Sequence, residues 1–129
     1  MNVVDSCGWL EYFSDGTNAQ EFEVPLRDVD SLVVPAICIY EVLKVVLRER
    51  GETQALEAMA AMQRGQVVDL DSRLAAVAAR LSLAHSLPMA DSIVLATARE
   101  SGATLWTQDS DFKAIPGVRY LSKSQGDCG

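Results

Sequence analysis

Four acidic side chains, Asp5, Glu41, Asp91 and Asp109, carry the chemistry that this sequence offers. Asp5 closes the strand-like run "NVVD", and Asp109 follows the strand-like run "ATLWTQ". Asp91 opens the helix-like run "MADSIVLATARES", and Glu41 lies inside "AICIYEVLKVVLRER". In an open parallel sheet, ligands bind beyond the carboxyl ends of the strands. Asp5 and Asp109 therefore meet at one edge if their strands are neighbours. Gathered together, the four acids make a hard, all-oxygen donor set that suits Mg²⁺, with Mn²⁺ as a substitute. Such ions serve in-line hydrolysis of phosphodiesters by lowering the pKa of the attacking water and stabilising the leaving oxygen.

Each acid also has a plain structural alternative. At about 100° per residue, Asp91 shares a helix face with Val94, Leu95 and Ala98, while Glu100 lies opposite and Ser92 and Arg99 fall on the polar side. A carboxylate on an apolar face is costly unless a proton, an arginine or a metal compensates it. The alternative is an acid that stabilises the helix N-terminus by about 0.3–1 kcal/mol. Glu41 stands three residues from Lys44 and seven from Arg48, so taken alone it reads first as a solvated acid in a charged stripe. Asp109 and Asp111 belong to "TQDSDF", where aspartates commonly start turns. Thr107 supplies a hydroxyl beside them. Asp5 or Ser6 can cap the helix that follows.

Elsewhere the sequence excludes more than it offers. Cys7, Cys38 and Cys128 are too scattered for a disulfide framework or a zinc site; Cys7 and Cys38 read as small core residues. His85, the one histidine, lies at a helix end without a nucleophile motif beside it. No glycine-rich phosphate loop is present. Met59 and Met62 read as packing residues, and so do Trp9, Tyr12 and Phe13. The formal net charge of −7 is an unusual footprint for a nucleic-acid enzyme. Either the acids surround a cation, or the chain binds no nucleic acid. The start lacks a basic, apolar leader, and no apolar run approaches the roughly 20 residues of a membrane span. Those features lead us to expect a cytoplasmic protein.

Strands are expected over 2–5, 31–35, 66–70, 103–108 and 118–121, and helices over 6–13, 36–50, 52–64, 73–86 and 89–101. Ile39, Val42, Leu43, Val46 and Leu47 form the apolar stripe of the 36–50 helix. Residues 14–31 should hold a short helix and turns, and 109–115 a turn or short helix. Alternating strands and helices predict an α/β domain over 1–122, with a mainly parallel sheet covered by helices. A frayed polar tail is expected over 123–129.

"VVDSCGWLEYF", "PAICIYEVLKVVL" and "LPMADSIVLATARESGATLWTQDSDF" resemble, in order and spacing, the acid-bearing segments of PIN domains, and the length resembles VapC-like toxins of toxin–antitoxin pairs. The resemblance implies a PIN-like, Rossmann-like fold and a Mg²⁺-dependent endoribonuclease leaving 5′-phosphate and 3′-hydroxyl ends. It maps the catalytic acids onto Asp5, Glu41, Asp91 and Asp109, with Asp5, Asp91 and Asp109 as metal ligands. Thr107, Asp111 and Ser6 are secondary. It also implies a homodimer and a cognate antitoxin that brings a basic side chain to the acidic site. Two rivals stay open: a non-catalytic PIN-like module that docks a basic partner, and a small-molecule Mg²⁺ enzyme on a similar sheet.

Overall fold

A computed structural model describes residues 1–123. The chain runs β1 (Asn2–Val4), α1 (Ser6–Phe13), α2 (Ala19–Arg27), β2 (Leu32–Pro35), α3 (Ala36–Arg50), α4 (Glu52–Met62), β3 (Gln66–Val68), α5 (Ser72–His85), α6 (Met89–Glu100), β4 (Thr104–Thr107) and β5 (Val118–Tyr120). Two short 3₁₀ turns, Val29–Ser31 and Ser110–Phe112, complete it. The five strands form one sheet in the order β3-β2-β1-β4-β5, and every pair is parallel. Parallel neighbours require crossover connections, which the helices supply. From β1 the chain builds outward to β2 and β3, then returns across the sheet to β4. The connections leaving β1 and β4 therefore diverge and open a crevice at the carboxyl edge.

The strands at the centre are apolar on both faces, as a sheet covered on both sides demands. Val3, Val4, Leu32, Val33, Val34 and Leu105 are all buried. α6 packs against β1, β2 and β4, and on its other side against α5. Its residues Ser92–Ala98 are buried without a break. Ser92, expected on the polar side, is therefore covered; its hydroxyl donates to the Met89 carbonyl at 2.7 Å, which satisfies it within the helix. Ile93 and Ala96 meet Leu74 and Ala78 of α5 in a second small core, a contact that single-helix periodicity does not reveal.

Most expected elements are present, with ends shifted by one or two residues. Asp5 rather than Ser6 caps α1, accepting the Ser6 N–H at 2.8 Å. Asp71 caps α5 through the Leu74 N–H at 2.8 Å. The stretch 14–31 holds nine helical residues despite Pro25, because burial of Phe22 and Leu26 outweighs one lost N–H donor. β3 stops at Val68, two residues early. In α3, Val42 and Val46 are buried, but Leu47 is 43% exposed, because it stands about 100° round the helix from the face that Cys38, Val42 and Val46 bury. Met62 is a core residue and Met59 half-buried. Cys38 is buried as expected; Cys7 is only half-buried, because it stands at the start of α1 on the wall of an open cavity. Trp9 packs inside against Phe13, with ring centroids 5.7 Å apart. Among the described residues no single helix is long and apolar enough to cross a membrane. The tail expected over 123–129, Cys128 included, lies outside the described residues apart from Lys123.

Candidate metal centre

The crevice is where the acids converge. β1 and β4 pair in register from Asn2 opposite Thr104 to Val4 opposite Trp106, and the Asp5 N–H extends the ladder to the Trp106 carbonyl at 3.0 Å. Asp5 is thereby fixed to the end of β4. Its Oδ1 accepts the Ser6 N–H, and its Oδ2 accepts the Thr107 hydroxyl at 2.9 Å and the Cys7 thiol at 3.4 Å. Thr107 also accepts the Asp109 N–H on Oγ1, at 3.0 Å. One threonine hydroxyl thus links the acid that follows β1 to the acid that follows β4. Asp109 stands two residues beyond Thr107 and caps the 3₁₀ turn, accepting the Asp111 N–H at 2.9 Å. Asp91 reaches in from the first turn of α6.

One carboxylate oxygen from each of Asp5, Asp91 and Asp109 lies within 4.8 Å of the other two. The trio is not comfortable without a cation. Burial pushes the Asp5 carboxyl up to about 6, although the Thr107, Ser6 and Cys7 donors partly oppose this; Glu41 raises it further. Asp91 is pushed up to about 8, first by burial and then by the charges of Asp5, Asp109, Asp111 and Glu41. Both causes disfavour the charged form. The arginine ion pairs Arg27–Glu23, Arg48–Glu49 and Arg73–Glu100 involve none of the three acids. Of the compensations open to an inward-facing Asp91, an arginine within the described chain is therefore removed, and a proton or a cation is left. An all-oxygen set of this kind fits Mg²⁺ or Mn²⁺.

Glu41 stands beside the trio rather than in it. Its Oε1 accepts the Ser6 hydroxyl at 2.6 Å, while the Ser6 backbone binds Asp5, so Ser6 bridges the two acids. Asp111 is exposed and acts on the site through its charge. Sequence reasoning missed what lies behind the trio. Glu11, Asn18 and Gln108 form a largely buried polar group, in which Gln108 directly precedes Asp109. The available signal was Glu11 itself: it lies one turn beyond Cys7 and Gly8 in α1, on the side that packs inward. Cys7, which meets both Asp5 and Thr107, was read only as packing.

The PIN-domain family model matches residues 3–118, nearly the whole described chain. The chain belongs to the PIN-domain family. Solved structures resemble this PIN domain over almost their full lengths. A toxin–antitoxin complex from Klebsiella pneumoniae aligns with a TM-score of 0.82 and 21% identity, covering 96% of this chain and 100% of that one. VapC20 of Mycobacterium tuberculosis, described as a sarcin-ricin loop cleaving toxin, gives 0.74 and 17%, over 90% and 95%. VapBC2 of Rickettsia felis, bound to a DNA fragment from its promoter, gives 0.71 and 14%, over 94% and 97%. At these identities the likeness is one of fold. Among curated protein sequences, none matches the chain.

Proposed function

We propose that this PIN domain is a Mg²⁺-dependent endoribonuclease and the toxin of a toxin–antitoxin pair. The observation that carries the reading is the convergence of Asp5, Asp91 and Asp109 at the β1/β4 crevice, with carboxylate oxygens within 4.8 Å of one another. These three residues hold the metal, directly or through water. Ser6 and Thr107 fix Asp5, and Thr107 also fixes the backbone of Asp109. Glu41, held by Ser6, completes the site and orients the attacking water. When bound, the ion supplies positive charge for the phosphate and acidity for the water. The expected products carry a 5′-phosphate and a 3′-hydroxyl. RNA as the substrate is supported by the fold shared with a toxin described as cleaving the sarcin-ricin loop. Such a substrate places the protein in the cytoplasm.

The antitoxin is supported by shape as well as by the company the fold keeps. A cavity of about 600 Å³ opens between α1, α3 and α4, with Leu10, Phe13, Val46 and Ala58 in its walls. It ends at Cys7 and Gln108, the chain neighbours of the Asp5 and Asp109 regions. We read it as the seat of an apolar antitoxin segment that directs a lysine or arginine to the acid trio. Leu56, 68% exposed on α4, and Leu47 on α3 offer apolar surface for a homodimer. A stable monomer in sedimentation at micromolar concentration would reject that dimer.

The direct test is cleavage of single-stranded RNA with Mg²⁺ and with EDTA, followed by mapping of the ends. Mg²⁺-dependent cuts bearing 5′-phosphates are expected. The net charge of −7 favours one rival, a non-catalytic module whose acids dock a basic partner. That module would retain partner binding in EDTA and cut nothing. Turnover of a generic phosphate ester with RNA left intact would instead favour a small-molecule enzyme.

A further inference from the structure

Behind the acid trio, Glu11, Asn18 and Gln108 close a ring of hydrogen bonds whose polarity is fixed. The Ser122 carbonyl can only accept, so the Asn18 atom that meets it at 2.9 Å is the amide nitrogen, Nδ2. Nδ2 also donates to Gln108 Oε1 at 2.9 Å. Gln108 therefore turns its own amide nitrogen, Nε2, toward Glu11 Oε1 at 3.4 Å. Glu11 Oε2 accepts the Asn18 backbone N–H at 2.9 Å, which completes the ring. Glu11 must accept at both oxygens. A carboxylate does so; a glutamine in its place would set one donor against another, whichever way its amide turned.

The ring is built tightly. Glu11 is 7% exposed and Gln108 1% exposed. A Cβ at Gly16 would collide with the Glu11 carboxyl, so the turn between α1 and α2 closes directly over it. On the extended chain leaving β4, successive side chains point to opposite sides. Thr107 is tied forward to Asp5, and Gln108 is tied back to Glu11 and Asn18. Asp109 comes next and is held between the two.

We infer that Glu11 is a positioning residue for the metal centre: through Gln108 and Asn18 it fixes the backbone that aims Asp109 at Asp5 and Asp91. The inference rests on the metal-site reading above. It explains why an acid is buried on α1, a helix that contributes no ligand of its own. Partners that orient metal ligands commonly control affinity as strongly as moderate ligand changes do.

The test is Mg²⁺ titration by calorimetry on folded protein, with circular dichroism confirming the fold of each variant. Glu11→Gln should weaken Mg²⁺ binding by about tenfold. Gln108→Glu should do the same, by setting two carboxylates face to face. The double variant Glu11→Gln/Gln108→Glu reverses the polarity of one hydrogen bond and rebuilds the ring, so it should recover most of the lost affinity. Asn18→Ala, a milder change in a turn, should weaken binding in the same direction and guards against a Glu11 variant that fails to fold. If wild-type protein binds no Mg²⁺, both the metal-site reading and this inference fall. If wild type binds and Glu11→Gln binds equally well, only the positioning role falls. Additive losses in the double variant would also overturn it, since they would show that ring polarity is not what matters.

Discussion

Two acids on opposite sides of the chain segment that leaves β4, the buried Glu11 and the half-buried Asp91, are handled in opposite ways. Glu11 meets N–H donors from Asn18 and Gln108 at both oxygens. Asp91 is pushed up to about 8, first by burial and then by the charges of the acids around it. Burying a carboxylate is tolerable when donors replace water, and costly when like charges do. Glu11 thus reads as an acid of the scaffold and Asp91 as an acid that awaits a ligand; Asp5 stands between them, with donors at both oxygens and a carboxyl still pushed up to about 6, first by burial. Burial alone does not distinguish them: Asp5, at 4% exposed, is as buried as Glu11, at 7%.

The largest expected contrast is in catalysis. Asp5→Ala, Asp91→Ala and Asp109→Ala should each lower Mg²⁺-dependent RNA cleavage by about a thousandfold, since several kcal/mol of charge stabilisation disappear. Glu41→Ala should cost about tenfold, because Glu41 acts from beside the trio. Asp111→Ala should cost less than about threefold, as its contribution is a screened charge at an exposed position. Cleavage rates on one RNA, with folding checked for each variant, measure all five. An Asp111→Ala loss greater than that of Asp109→Ala would assign the ligand role to the other acid of "DSD".

The next contrast is in stability, and it has opposite signs. Glu11→Ala removes the buried acceptor of the Asn18 and Gln108 N–H donors and should destabilise the metal-free protein by about 1–3 kcal/mol. Asp91→Asn removes a charge from a repulsive cluster at similar volume and should raise the metal-free unfolding free energy. Urea denaturation in EDTA gives both values. Destabilisation by both changes would make Asp91 a helix-capping acid, and the comparison would collapse.

Much of this was legible in the sequence, for reasons that differ between residues. The inward placement of Asp91 was legible because helical periodicity set it with Val94, Leu95 and Ala98, and all three are buried. Asp5 and Asp109 were found because parallel strands end at one edge, and β1 and β4 are neighbours. The ring escaped because its members sit 7, 90 and 97 residues apart along the chain. Its acid also resembles any polar residue on a surface helix. Ser92 was misplaced because α6 is packed on more than one side, against the sheet, α3 and α5. Periodicity reports one buried face; a second neighbour becomes visible only in three dimensions.

A smaller effect is the pH dependence of the metal-free protein. Asp5 and Asp91 have folded-state values of about 6 and about 8, above the ordinary 3.8. Between about pH 4 and 8 the folded state therefore binds more protons than the unfolded state, and stability falls as pH rises through that window. Below it, both groups are protonated in either state and the penalty vanishes. In Asp91→Asn the decline should end near pH 6, where Asp5 finishes titrating. Melting temperatures across pH 4–9 in EDTA would show this; an unchanged decline above pH 6 would assign the effect to another group.

The most direct measurement is a set of four thermal melts: wild type and Asp91→Asn, each in EDTA and in Mg²⁺. A ligand that binds only the native state stabilises it by about 2.7 kcal/mol at a hundredfold excess over its dissociation constant. For a chain of this size, that corresponds to a rise of roughly 5–15 °C in melting temperature. If Asp91 closes a metal site with Asp5 and Asp109, wild type should show this rise, and Asp91→Asn should start higher in EDTA and gain much less from Mg²⁺. Equal Mg²⁺-induced shifts in the two proteins would place the ion elsewhere and contradict the acid trio as the metal centre.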